Sequence, residues 1–463
     1  MHSFIKKNSK NWLLIAGLMA LVSCLYFLGL IGFSELILRV FRWIGLISLS
    51  LFGIQKRSLT AWIFISMLLG AEIGYDYPQV GMELNIFSKI FIKLIKCIIA
   101  PLLFGTLIIG IAGHSNVKQV GRLGFKSLLY FEIVTTIALI IGLFAINISK
   151  AGIGINPLNI SEKLPEAVKP QTWKDIVLHI FPENFAKSIA EGQVLQIVIF
   201  CLMFSIALMM ISHEKRKPVL TFAESLSAVM FKFTDLIMYF APFAVAGAIA
   251  STISNMGIDI LKNLLLLLAT LYIALMVFVF GVLLPIVLFF KIPLKRFLSH
   301  VAQPVSIAFG TASSEAALPV AMENMEKFGV SREVVAFVLP TGLSFNLDGS
   351  TLYLSLATIF VAQAAGIELS ITQQVIMMLT LMLTSKGVAG VARASLVILA
   401  GMATSFGLPD WPIAAILGID ALMDMGRTAV NTLGNCLATA IVGKWEKEVN
   451  IPKDGNQWME VKH

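Results

Sequence analysis

Ser344-Phe-Asn-Leu-Asp-Gly-Ser350, "SFNLDGS", lies between the apolar runs "EVVAFVLPTGL" (333–343) and "TLYLSLATIFVAQAAG" (351–366). Together the two runs are long enough to cross a bilayer, since about 20 apolar residues span roughly 30 Å of hydrocarbon. Their centre nevertheless carries an amide, a carboxylate and a glycine. A charge at that depth is costly enough to mark a functional site. Unwound backbone is tolerated there only when buried in protein or lining a cavity. The stretch therefore predicts a broken helix. Gly342 and Gly349 permit the unwinding, freed carbonyls and Asn346 offer neutral oxygens to a cation, and Asp348 supplies charge. The plainer alternative is a kinked helix with a hydrogen-bonded polar core.

Working outward, the chain of 463 residues is 57% hydrophobic and 13% charged, with mean hydropathy +0.87. That balance fits a polytopic membrane protein and no soluble domain of this size. The net charge of +8 is then read through the positive-inside rule and gives no reason to expect nucleic acid. Spans are expected at 12–32, 36–54, 59–76, 86–112, 124–149, 193–211, 221–253 and 260–290, with Arg39 and Arg42 interrupting the second. A cytoplasmic N-terminus puts Lys6/Lys7/Lys10, Lys56/Arg57, Lys118/Arg122/Lys126, Lys215/Arg216/Lys217 and Lys291/Lys295/Arg296 on one side. Residues 150–190 form the one long external loop. Cys24, Cys97, Cys201 and Cys436 lie in apolar runs without metal-ligand spacing and read as small core residues.

After residue 296 the regularity fails. "VAQPVSIAFGTASSEAALPVAMENMEKFG" (301–329) has basic residues at both ends and small hydroxyl residues at its centre, the form of a re-entrant hairpin turning at "TASSEAALP". Residues 371–409 repeat that form with a turn at "TSKGVAG". Each hairpin precedes a span with a polar interruption, "SFNLDGS" and then "DALMDMGRTAVNTLGN". A two-fold repeat of hairpin plus broken helix points to a transporter's central site. In the last helix Asp424, Arg427, Thr428 and Asn431 sit at i, i+3, i+4 and i+7, on one face. A buried arginine fork suits bidentate capture of a carboxylate, and Asp424 can accept an ammonium. A structural Asp–Arg pair with no ligand is the competing reading.

These motifs resemble the dicarboxylate/amino acid:cation symporter family, which includes the glutamate transporters, over about residues 58–448. "SFNLDGS" is similar to the family's N-M-D-G-T element, "TASSEAALP" to its first hairpin tip, "TSKGVAGV" to its second and "DMGRTAVNTLGN" to its last helix, most closely in the bacterial proton/glutamate branch. The resemblance implies an all-α integral membrane fold of eight core helices and two re-entrant hairpins in inverted repeats, with an extra N-terminal helical hairpin at 1–57. It implies a scaffold and trimerisation region at 58–256 that includes core helix 3 of the transport part. The transport domain would occupy 257–448 and a cytoplasmic tail 449–463. The implied assembly is a homotrimer in the cell membrane, with both termini cytoplasmic and a transport domain moving like an elevator.

By the same resemblance Arg427 holds the substrate's side-chain carboxylate, Asp424 its ammonium, and Asn431 with Ser313 and Ser314 its α-carboxylate. Ser350 and Thr428 join the substrate set. The backbone of Gly387, Val388, Ala389 and Gly390 closes it. Relatives carrying C4-dicarboxylates resemble this chain with a small residue in place of Asp424, so acidic amino acids are favoured. An uncompensated buried aspartate would repel a dicarboxylate. Neutral amino acids would leave Arg427 buried and unpaired.

For the coupling ion, a sodium-ligating aspartate of the family is matched by Asn435. Glu132 stands beside Thr135 and Thr136, whose counterparts line a cation site with the Asn346 and Asp348 positions. Lys386 enters the second hairpin tip where relatives offer oxygens to sodium. Together with Ser344 these form the candidate coupling set. Protons are favoured over sodium, for which Asn346, Asp348 and Asn431 would be ligands. Glu132 is alternatively a helix-end residue contacting water. The first-hairpin arginine of archaeal relatives is Ala312 here. Arg393 either faces the external vestibule or snorkels. Lys89, Lys93 and Lys96 share one helical face and read as interfacial anchors rather than a permeation feature. No enzyme is expected: an intramembrane nucleophile at Ser313 or Ser314 lacks a histidine base in reach. No cofactor is expected, and an anion channel would need no Asp424–Arg427 arrangement.

Overall fold

The computed structural model describes residues 9–27, 32–56, 58–112, 117–155, 181–191, 193–384 and 394–450. Among them every regular element is helical. In order these are α1 (Ser9–Phe27), α2 (Glu35–Lys56), α3 (Leu59–Asp76), α4 (Pro78–Glu83), α5 (Asn85–Ala112), α6 (Val117–Ser149), α7 (Phe185–Ala190), α8 (Val194–Met210), α9 (His213–Met238), α10 (Ala241–Met256) and α11 (Ile260–Phe278). A π turn (Val279–Leu283) leads to α12 (Leu284–Phe289), and then come α13 (Leu294–Thr311), α14 (Ser314–Phe328), α15 (Arg332–Phe345), α16 (Asp348–Ala364), α17 (Ile371–Thr384), α18 (Ala394–Ser405) and α19 (Trp411–Glu446). Among the described residues five helices are long and apolar enough to cross a membrane: Glu35–Lys56, Leu59–Asp76, Pro78–Ile109, Leu123–Ser149 and Ile260–Phe289.

The expected single span at 221–253 is instead two helices, α9 and α10, bent by 51°. Pro242 sits in the first turn of α10. It has no N–H to donate back to Met238, so the helix of α9 does not continue through it and the chain turns there. α10 packs closely on α3 because Gly70 and Gly74 face Ala246 and Ala250, and a Cβ on either glycine would overlap the partner backbone. Small residues four apart are how membrane helices approach without a hydrophobic drive between them.

The arginines that interrupt α2 have partners. Arg42 binds Glu72 at 2.6 Å and Asp76 at 3.0 Å, Arg39 reaches Asp76 at 3.1 Å, and Trp43 Nε1 donates to Asp76 Oδ2 at 2.9 Å. The Asp76 side chain is fully buried by them. Charges in an apolar span are retained where they pair, and here they fasten α2 to α3.

α13 and α14 form a helical hairpin whose turn is Ala312 and Ser313, the former left-handed (φ 50°). Ser313 accepts a hydrogen bond from the Ala316 amide, capping α14. α17 and α18 flank residues 385–393, so Lys386, Gly387, Val388, Ala389, Gly390 and Arg393 lie outside the described residues. The span at 333–366 is broken as expected, but the non-helical residues are Asn346 and Leu347. Gly342 and Gly349 are helical, and their missing side chains admit α19: a Cβ would overlap Asn435 Oδ1 or the Arg427 carbonyl.

The expected interruption of the last helix is absent, and α19 runs unbroken for 36 residues. Its polar side chains find partners laterally, so no backbone has to unwind. α16 and α19 are buried along almost their whole lengths, as helices of a protein core rather than a lipid face. Cys201 and Cys436 are buried, whereas Cys97 points outward from α5. The start of the expected tail is docked, Val449 bridging Val330 and Asn450 donating to Gly329.

Candidate functional site

The break in α15–α16 and the middle of α19 meet. Asn346 and Asp348 are fully buried. Asn346 Nδ2 donates to Asp348 Oδ2 at 3.3 Å and to Asn435 Oδ1 at 3.0 Å. Among the described residues the Asn346 Oδ1, Asn435 Nδ2 and Thr351 Oγ1 atoms are buried without a hydrogen-bond partner. Unpaired polar atoms in a protein interior call for an occupant such as an ion or water. Asn346 Oδ1 and Thr351 Oγ1 beside one carboxylate offer oxygens that suit a small hard cation or a hydronium, whereas Asn435 Nδ2 is a donor that suits water.

One turn earlier in α19, Asn431 closes the break. Its Oδ1 accepts from the amides of Gly349 (2.8 Å) and Ser350 (3.1 Å), and its Nδ2 donates to Ser350 Oγ at 2.9 Å. The orphan N–H groups at the start of α16 are thereby satisfied from another helix.

Arg427 is 1% exposed. Its Nε donates to Asp424 Oδ1 at 2.8 Å and its Nη1 to Asp420 Oδ1 at 3.0 Å. Thr428 Oγ1 also donates to Asp424 Oδ1, at 3.2 Å. The guanidinium lies 4.2 Å from the centre of the Tyr353 ring, and the Tyr353 hydroxyl donates to Asp420 at 3.4 Å. Among the described residues Arg427 Nη2 has no partner.

Asp420 and Tyr353 were not singled out from the sequence. Asp420 lies four residues before Asp424 and seven before Arg427, the spacing that keeps a side chain on the same face. It heads the quoted stretch, so the signal was present. Tyr353 is five residues past Asp348, and nothing in the local sequence pairs it with Arg427.

The remaining expected residues are spread more widely. Ser314 is buried in the first turn of α14, Ser313 is half-buried at its cap, and α14 packs on α19. Ser344 is half-buried two residues before the break. On α6, Thr135 donates to its own helix at the Phe131 carbonyl (2.7 Å), Thr136 donates to Met382 Sδ (3.4 Å), and Glu132 is half-buried. Tyr130, on the same helix, lies in electrostatic range of Asp348, and its buried hydroxyl has no hydrogen-bond partner among the described residues.

The sequence pattern of the sodium:dicarboxylate symporter family matches residues 59–445. The chain belongs to that family. A proton/sodium-glutamate symport protein of Bacillus caldotenax is 40% identical over 415 residues, covering 88% of this chain and 98% of the relative. A C4-dicarboxylate transport protein of Bacillus subtilis (strain 168) is 40% identical over 403 residues, covering 86% and 96%. A proton/glutamate-aspartate symporter of the same organism is 39% identical over 399 residues, covering 85% and 96%. Membership of a symporter family and several spanning helices make this a multi-pass membrane protein. The sodium:dicarboxylate symporter pattern begins at residue 59, so α1 and α2 precede it.

Proposed function

We propose that the protein imports acidic amino acids with protons by elevator-type alternating access. The observation that carries this reading is the charge of the buried site. Three buried carboxylates, Asp348, Asp420 and Asp424, converge on the region of the buried Arg427, and Asp420 and Asp424 share its guanidinium. An anionic solute entering that site meets these carboxylates, and repulsion between like charges in a low-dielectric interior is strong. Such a solute enters only with cations or protons, which is the physical content of symport.

Arg427 Nη2, without a hydrogen-bond partner among the described residues, supplies the anchor for the substrate's side-chain carboxylate, and Asp424 the partner for its ammonium. An ammonium is itself a charge the site favours, which selects amino acids over C4-dicarboxylates. Asn431, already holding the start of α16, presents the α-carboxylate site with Ser313, Ser314 and Ser350. Asn435 in place of a carboxylate, and Glu132 beside Thr135 and Thr136, support protons as the driving ion. The relatives named proton/sodium-glutamate and C4-dicarboxylate transporters make sodium coupling and dicarboxylates the alternatives. In this reading residues 58–256 hold the scaffold with core helix 3 joined to the transport part, and residues 257–448 form the transport domain. Eight core helices and two re-entrant hairpins, three such protomers and cytoplasmic termini complete the reading.

Purified protein in liposomes is expected to accumulate L-glutamate or L-aspartate under an inward proton gradient without sodium. Strict sodium dependence would replace the coupling ion. Accumulation of succinate without either amino acid would refute the assigned role of Asp424.

A further inference from the structure

The notable charge outside the site runs along α5. Lys89, Lys93 and Lys96 fall at i, i+4 and i+7, on one stripe. Lys96 Nζ contacts Asp410 at 2.8 and 3.1 Å. Asp410 is the residue immediately before α19, the helix that carries Asp420, Asp424 and Arg427. Lys89 and Lys93 are exposed and form no ion pair among the described residues. The surface between α5 and the elements bearing the site is apolar. Phe91, Ile92 and Ile95 of α5 face Leu396 and Ala400 of α18 and Ile413 and Leu417 of α19 across a small cavity. A seam of that kind has few directional bonds to break when one side slides past the other. The ion pair at its edge is directional, and it can re-form one or two turns away because the other two lysines repeat its geometry.

We infer that Asp410 exchanges partners along Lys96, Lys93 and Lys89 as the α19-bearing part moves against α5, so that the stripe sets the resting positions of the substrate site. The inference rests on the alternating-access reading above. At 1.5 Å per residue the stripe covers about 10 Å along the helix axis, which is the travel it would index. α5 begins at the external side if the N-terminus is cytoplasmic, so pairing with Lys96, the deepest of the three, corresponds to the inward position. The lysines also leave the apolar seam in charge of the sliding contact, since each pair is partly exposed and therefore weak and exchangeable.

The test uses the full chain in liposomes with Cys24, Cys201 and Cys436 replaced, native Cys97 kept and Pro409→Cys added. A bifunctional thiol reagent of about 10 Å reach reads how often Asp410 sits beside Lys96. Lys96→Gln is expected to lower the cross-linked fraction about two- to five-fold, the effect of losing a half-exposed pair. Lys89→Gln is expected to raise it. In an Asp410→Asn background both changes should vanish, and the exchange Lys96→Asp with Asp410→Lys should bring the yield to the parental value or above it, since Lys89 and Lys93 then repel residue 410. No response to Lys89→Gln, or shifts of the same sign from both lysines, would overturn the inference. Uptake by the parent protein is measured in the same vesicles. Uptake with unresponsive cross-linking rejects the lysine stripe alone, whereas absence of uptake of any acidic amino acid or dicarboxylate rejects the transport reading.

Discussion

Arg427→Lys keeps the positive charge and removes the fork. In the structure the guanidinium binds Asp424 through Nε and Asp420 through Nη1 and lies over Tyr353, and its Nη2 has no hydrogen-bond partner among the described residues. A single ammonium cannot reach both carboxylates from one stem and also meet a substrate. A hydrogen bond to a charged group contributes about 1.5–3 kcal/mol, and breaking a buried ion pair costs about 3–5 kcal/mol. A loss of about 3 kcal/mol in the bound complex corresponds to roughly a hundred-fold in KM, at 1.4 kcal/mol per factor of ten. The assay is concentration-dependent uptake of labelled L-glutamate into proteoliposomes, with the thermal midpoint in detergent followed with and without substrate. Adding Asp420→Asn should recover part of the thermal stability, because the carboxylate that lost its guanidinium contact is gone, but not the uptake. A KM for Arg427→Lys within about three-fold of the parent would refute the assignment of the fork to the substrate.

Asp424→Ser is expected to weaken amino acid uptake and to admit C4-dicarboxylates, and a substrate panel with unchanged selectivity would argue against an ammonium partner there. With Glu132→Gln, proton-driven accumulation should disappear while substrate exchange persists; accumulation that still follows the proton gradient would place the carrier elsewhere. For Gly434→Ala, the new Cβ overlaps Asp348 Oδ2, and overpacking of a buried site costs about 1–3 kcal/mol. The expected result is a lower thermal midpoint and impaired ion-coupled uptake, and a variant indistinguishable from the parent would show that Asp348 is free to move.

The arrangement of the site along α19 was legible because helical periodicity alone puts Asp424, Arg427, Thr428 and Asn431 on one face. The same arithmetic extends to Asp420. The break falls within 344–350 as expected, but the glycines do not make it. Glycines mark where a chain can unwind, but Gly342 and Gly349 serve close approach by α19, and the unwound residues are Asn346 and Leu347. That choice is made by Asn431 and Asn435, 81 to 89 residues away in sequence, which supply the hydrogen bonds that the break requires. The unbroken course of α19 was missed for the converse reason. A polar run reads as an interruption, yet Arg427 pairs with carboxylates three and seven residues earlier in the same helix.

The amino-acid order by itself determined that the chain is helical and membrane-embedded, because twenty-residue apolar runs have no other stable form in hydrocarbon. It also determined which face of the last helix is polar. Only the tertiary structure decided that this face meets the break of α15–α16. It likewise decided that Tyr353 and Asp420 share Arg427, and that α2 is held through Asp76. The physical reason is distance along the chain: periodicity fixes neighbours within a few turns, whereas contacts between helices depend on packing shapes and hydrogen-bond partners that no local window contains.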